Sequence, residues 1–205
     1  IMDGKLIGFS DKRLLPDYDI FSEKRYFDSG NEFNIYNYKG KKIGIEICED
    51  LWDNNYDLKV SNLLIEKGAE IILNLSASPF SIGKLNKRID LIENVCKKNN
   101  VFFVYANLVG SYDGYDGQLV FDGQYLICNN IGEIIAVGNK FQEDFISVDF
   151  DEILIRNKPN SNIIVIEDIS DIYDSLILGI RDYFNSLNFK KVFIGLSGGI
   201  DSALT

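Results

Sequence analysis

Two groups of residues in this sequence have types and spacings that could do chemistry. Near the end, the apolar run Val192-Phe193-Ile194 leads into Gly195-Leu196-Ser197-Gly198-Gly199-Ile200-Asp201-Ser202. Adjacent glycines let backbone N–H groups approach an anion with no Cβ in the way, and a helix opening after them turns its positive end to the same spot. The pattern predicts a strand, a glycine turn and a helix start that together cradle phosphate. No lysine follows the glycines and their spacing differs from the Walker loop. Ser197 and Ser202 offer hydroxyl donors, whereas Asp201 would repel phosphate unless a divalent cation sat between them. A glycine turn ahead of any buried helix is the plain alternative, and the two serines with the aspartate favour nucleotide.

The second group centres on Cys48, at the carboxyl end of the alternating run Lys42 to Cys48 and followed by Glu49-Asp50-Leu51-Trp52. Open α/β sheets place chemistry at that end of their strands. Cys96, on a helical stripe, and Cys128, inside an apolar run, read as small buried hydrophobes. The chain has no histidine, so a Cys48 thiolate would need a lysine to hold negative charge and a carboxylate to move the proton. The stretch Lys12 to Phe27 carries both types. Glu46 shares a strand face with Cys48 but is not expected to be the base.

Bulk properties narrow the classes. With 205 residues and 46% hydrophobic composition, the chain can bury one core and begin a second unit. A net charge of −10 argues against nucleic-acid or anionic-membrane binding. Three widely spaced cysteines suit neither a zinc site nor a disulfide framework and point to a reducing cytoplasm. No apolar run is long enough to span a membrane. The first residues read as a strand and turn entered part-way, and the last helix as one barely begun, so residues are expected beyond both ends.

The elements that would position these residues alternate. Lys42–Cys48, Ile71–Leu75, Val101–Ala106, Leu119–Asn129 and Ile134–Val137 are predicted strands, and Lys84–Asn99 a helix with Leu85, Ile89, Ile92, Val95 and Cys96 on one stripe. An α/β layered domain is therefore expected over 1–150, a polar linker over 151–168, and a second domain from 169, opening with a helix from Ile169 to Leu187.

The residues Lys12 to Phe27, Ile45 to Trp52, Asn74 to Phe80, Ile82 to Lys84, Val104 to Asn107 and Leu119 to Gly123 resemble the nitrilase-superfamily glutaminase domain of glutamine-dependent NAD+ synthetases. The terminal glycine loop resembles the PP-loop of ATP pyrophosphatases, in the order that family shows. The resemblance implies a partial nitrilase-like α-β-β-α layered sandwich, followed by the first helix, strand and PP-loop of a Rossmann-like synthetase domain. It implies Cys48 as nucleophile toward L-glutamine, with Lys12 and the backbone N–H of Glu49 as the oxyanion site. Tyr18, Glu23, Ser78 and Lys84 would hold glutamine, although Lys84, Lys87 and Arg88 could equally form a simple basic helix face. Gly195 to Ser202 would bind ATP, and Asp201 would hold Mg2+. Ammonia would then amidate adenylated nicotinic acid adenine dinucleotide, in a cytoplasmic homo-oligomer. The family's general-base glutamate is expected upstream of these residues, so the polypeptide as given should turn over poorly. A stand-alone nitrilase-type amidase and a non-catalytic assembly module are the competing readings.

Overall fold

The structure is a computed structural model that describes residues 1–114, 117–150 and 169–205. In chain order it contains β1 (Ile35–Tyr38), β2 (Lys41–Ile47), α1 (Val60–Glu66), β3 (Ile71–Ser76), α2 (Lys84–Asn99), β4 (Phe102–Asn107), β5 (Val109–Gly114), β6 (Gly117–Asp122), β7 (Leu126–Cys128), β8 (Ile134–Val137), α3 (Ile169–Ser186) and α4 (Ile200–Leu204). The expected linker, 151–168, lies outside the described residues.

Six strands form one sheet in the order β1-β2-β3-β4-β7-β8. Lys39 and Gly40 both take positive φ, 48° and 80°, and this two-residue turn folds β1 back on β2 with Tyr38 opposite Lys41. From β2 to β4 the strands are parallel, which requires a crossover after each, and α1 and α2 supply them. The helix stripe read from the sequence is real: Leu85, Ile92 and Cys96 are fully buried. They join Val60 and Leu64 of α1 and Ile72, Phe103 and Tyr105 of the sheet in one core. At Gly44 a side chain would stand about 3.0 to 3.1 Å from Ile72, Ala69 and Leu64. The missing Cβ is what lets α1 lie so close to β2.

The other face of β2, β3 and β4 is more open. Leu75 is 55% exposed there, and the cysteine cavity lies at its carboxyl end.

Two sequence expectations need correction. The run Leu119–Asn129 is not one strand: Gly123 and Gln124 take φ of 68° and 55° and break it. Its first part, β6, pairs with β5 in a separate two-stranded sheet, and its second, β7, joins the main sheet. The run Val192-Phe193-Ile194 forms no strand and stays largely exposed, Phe193 at 95%. A strand needs a neighbour to bond its backbone, and the described residues bring none alongside.

Helix α3 packs across β5 and β6. Asp182 accepts the Ser111 N–H at 2.8 Å, and Lys140 reaches both oxygens of Asp171 at 2.6 and 2.7 Å. Gly179 faces Val120.

Candidate functional site

Strand β2 ends at Ile47, and the chain turns at once into a 3-10 turn, Cys48–Leu51. Cys48 itself is left-handed, with φ 47°. Beside it lies a cavity of about 650 Å³ whose walls include Lys12, Glu23, Leu75, Ser76 and Asn107. Parallel register explains the gathering, because Ile47 pairs with Leu75 and Leu75 with Ala106, so the carboxyl ends of β2, β3 and β4 come level.

Lys12 is on the segment that crosses this edge. Its Nζ lies 2.6 Å from both carboxylate oxygens of Glu23, a residue that opens the short turn Glu23–Arg25. Two predicted residues are thus brought together, with Glu23 fixing the ammonium rather than standing apart from it. Burial pushes the Cys48 thiol up, and Glu49 adds to that. The Lys12 ammonium, the Ala77 backbone and the Ser76 hydroxyl oppose it. The resting sulfur therefore favours the thiol and requires a base to become a nucleophile.

Glu49 contributes more than the N–H expected of it. Its carboxylate accepts the Tyr18 hydroxyl at 2.9 Å on each oxygen and the Tyr56 hydroxyl at 3.1 Å. Burial raises the Glu49 carboxyl, while these hydroxyls and Lys12 oppose the rise. Burial, followed by the Glu49 carboxylate, pushes Tyr56 to about 12 and Tyr18 higher still. Tyr18 thus reaches the Cys48 turn through Glu49, and its ring remains half exposed.

Lys84 begins α2 after the left-handed Gly83 (φ 78°), with its Nζ 5.7 Å from the centre of the Trp52 ring. Burial and then Arg88 lower its pKa, and Cys48, Asp122 and Glu49 oppose that. It is a half-buried cation at the cysteine end of the sheet.

The alternative of a basic face through Lys84, Lys87 and Arg88 fails at Arg88, which is fully buried. Its guanidinium pairs with Asp122 at 2.7 Å and donates to the Ser78 carbonyl at 2.9 Å and hydroxyl at 3.3 Å. Asn107 completes the set, accepting the Ser78 N–H at 2.9 Å and donating to the Ser78 carbonyl at 3.1 Å and to Asp122 at 3.0 Å. Ser78 is only 3% exposed, and its hydroxyl is engaged in this network behind the cavity.

Glu46 does not line the cysteine cavity. It is fully buried among the helices, where it accepts Ser61 at 2.7 Å and Asn74 at 2.9 Å. Burial raises its pKa to about 7.

The residues that sequence reasoning missed are Tyr56, Asn107, Arg88 and Asp122. Arg88 left a signal, since it lies three positions after Leu85 and four before Ile92, inside the apolar stripe, and Asn107 and Asp122 fall in stretches that carry the family resemblance without a role having been read for them.

In the glycine loop, Gly198 has φ 89°, and Ser197 and Ser202 face each other at 3.0 Å between hydroxyl oxygens. Ser202 also accepts the Ser197 N–H at 3.2 Å and donates to the Gly199 carbonyl at 3.0 Å. Space around Gly195 and Gly198 is open. Asp201 is exposed in the first turn of α4, and the described residues hold no cluster of three or more Cys, Asp or Glu able to grip a metal unaided. Among them no helix is long and apolar enough to cross a membrane.

These features agree with comparisons to known proteins. The NAD synthase family model matches residues 172–205. A glutamine-dependent NAD(+) synthetase of Acinetobacter baylyi is 39% identical over 203 residues, 99% of this chain and 36% of that protein. The solved glutamine-dependent NAD+ synthetase of Acinetobacter baumannii, in complex with adenosine diphosphate, superposes with a TM-score of 0.86 at 36% identity, over 99% of this chain and 37% of that one. A carbon-nitrogen hydrolase from Helicobacter pylori gives a TM-score of 0.59 at 25% identity over 69% of this chain and 51% of its own. The chain thus spans little more than a third of the synthetases it matches. Its mixed sheet with crossover helices is that of these nitrilase-type structures. The Carbon-nitrogen hydrolase family model matches residues 1–159, and the chain belongs to the carbon-nitrogen hydrolase family.

Proposed function

We propose that the chain is the cysteine-bearing part of a glutaminase together with the opening of an ATP-dependent synthetase, and that the whole protein makes NAD+ with glutamine as nitrogen donor. The observation that carries this is the cavity where Cys48 meets the Glu23-held Lys12, followed in the same chain by a match to NAD synthase. On this reading 1–150 is the glutaminase portion, 151–168 the connection and 169–205 the start of the synthetase, in a cytoplasmic homo-oligomer.

Cys48 gives up its proton to a carboxylate base, which the resemblance places upstream. Its sulfur then attacks the side-chain amide carbon of L-glutamine. The negative charge arriving on the amide oxygen is met by the Lys12 ammonium and the Glu49 backbone N–H. Collapse breaks the carbon–nitrogen bond, with the proton returned to the departing nitrogen, so ammonia leaves and a glutamyl thioester remains. Water then cleaves the thioester to glutamate. Lys84 and Ser78 are the residues we assign to glutamine's polar end. Lys84 faces the site as a cation suited to a carboxylate, and Ser78 acts from within its network. Tyr18 braces Glu49.

In the synthetase portion, Gly195 to Ser202 would take the phosphates of ATP through backbone N–H groups and the Ser197 and Ser202 hydroxyls. One exposed carboxylate with open space beside it suits Mg2+, which usually takes one or two protein carboxylates and completes its shell from phosphate and water. Asp201 would hold it, and the ion would neutralise phosphate charge. Ammonia then displaces AMP from the adenylated carboxylate of nicotinic acid adenine dinucleotide.

The test is Cys48→Ala in the full-length polypeptide. Glutamine-driven NAD+ formation should vanish while formation from added ammonia persists, and loss of both would overturn the two-site reading.

A further inference from the structure

Asp50 is two residues past Cys48 and wholly buried, with no place on the cavity wall. Its carboxylate nevertheless touches both chain segments that meet at the site. Oδ2 accepts the N–H of Ile47 at 2.9 Å, the residue before Cys48. Oδ1 accepts the N–H groups of Arg13 and Leu14 at 2.9 and 2.8 Å, the two residues after Lys12. Thirty-odd positions separate those segments in sequence, and neither belongs to a shared element that would fix their spacing.

The Arg13 side chain reinforces the junction. It is buried, stands 3.9 Å from Asp50 Oδ2, and donates to the Glu32 carbonyl at 3.1 and 2.6 Å and to the Ile45 carbonyl at 2.9 Å. Lys12 therefore extends from a backbone segment that is fastened to the nucleophile turn on one side and to strand β2 on the other. Only an ionised carboxylate fits the centre of this arrangement. Three amide N–H groups converge on two oxygens, and a side-chain amide would put its own N–H donors against one set of them.

We propose that Asp50 is a positioning residue that sets where the Lys12 ammonium stands relative to the Cys48 sulfur. The proposal rests on the roles given to Lys12 and Cys48 above. It explains why a carboxylate is buried near a sulfur whose thiolate negative charge disfavours: the charge is engaged by amide N–H groups and Arg13, and its effect reaches the sulfur through the placement of Lys12.

The readout is the pH dependence of Cys48 alkylation by iodoacetamide in the full-length polypeptide, followed by mass spectrometry of the Cys48 peptide. Charged groups that share the cavity wall with the sulfur are Asp11, Lys12, Glu23 and Asp28, and Tyr18, Glu49 on its own turn, Lys84 and Arg88 on α2 and Tyr105 on β4 interact with it electrostatically. Asp50→Asn removes none of these residues and loosens only the segment that carries Lys12. It should move the alkylation midpoint upward by about one pH unit, the usual effect of losing an opposite charge at close range. Lys12→Met should do the same, and the double variant should show no further shift. An unmoved midpoint in a folded Asp50→Asn protein, with Lys12→Met shifted, overturns the proposal. An unmoved midpoint in Lys12→Met overturns the Lys12 assignment instead, so the two failures are distinct. Should Asp50→Asn not fold, Arg13→Met loosens the same segment and keeps Asp50. Its midpoint should rise, and an unmoved one overturns the proposal equally.

Discussion

Replacing Glu46 by glutamine should change how the stability of this fold depends on pH. The Glu46 carboxyl is raised by burial from 4.5 to about 7, and the hydrogen bonds from Asn74 and Ser61 only partly offset that. Folding therefore strengthens its hold on the proton. Its contribution to stability is complete below pH 4.5, declines as the pH climbs toward 7, and is gone above it. The span corresponds to about 3 kcal/mol at 1.36 kcal/mol per pH unit. Glutamine has the same shape and no charge. Its oxygen can accept from Asn74 and its NH2 can donate to the Ser61 hydroxyl. Glu49, Asp50 and Asp53 are also raised by burial and slope the same way, so the informative quantity is the difference between the two proteins. Trp52, the single tryptophan of the chain, packs against the core and reports urea unfolding. Between pH 4 and 8 the wild type should lose more stability than Glu46→Gln by about 3 kcal/mol. Parallel stability curves for the two proteins would refute the reasoning.

Three further outcomes follow from packing and charge. Arg88→Met strands Asp122 and strips Ser78 of a donor, and it should destabilise by about 3 to 5 kcal/mol in urea titrations, whereas Arg88→Met with Asp122→Leu should recover much of that. Gly44→Val drives a side chain into Ile72, Ala69 and Leu64 and should cost about 1 to 3 kcal/mol, read as a lower Tm. Removing both hydroxyls with Tyr18→Phe and Tyr56→Phe leaves Glu49 without two donors, so its carboxyl should titrate higher still and the double variant should lose more stability than the wild type as the pH rises, read in urea titrations.

Much of this molecule could be read from local pattern. The stripe Leu85 to Cys96 and the apolar runs of β3 and β4 declare themselves because burial on a helix face or a covered sheet imposes a period. Cys48 stood out by its place at the carboxyl end of a strand, and Lys12 by the resemblance to the glutaminase family, within a stretch that the lack of histidine had already made of interest. What escaped was set by long-range company. The break at Gly123–Gln124 divides one apolar run between two sheets, and Val192 to Ile194 has the composition of a strand, with no neighbour to pair with among the described residues. Tyr56, Asn107 and Asp122 have ordinary polar side chains, and their meaning lies in partners up to 34 positions away. Arg88 was legible in principle, as a charge inside an apolar stripe.

The left-handed backbone of Cys48 sets a cost beside the role proposed for it. With φ at 47°, any side chain raises the local energy, and glycine would relax there by about 1 kcal/mol or more. A chain shaped by folding stability alone would carry glycine at this corner. On the role proposed for Cys48, the strain at the tip of β2 falls on the reacting residue itself, and Cys48→Gly should be both more stable and unreactive.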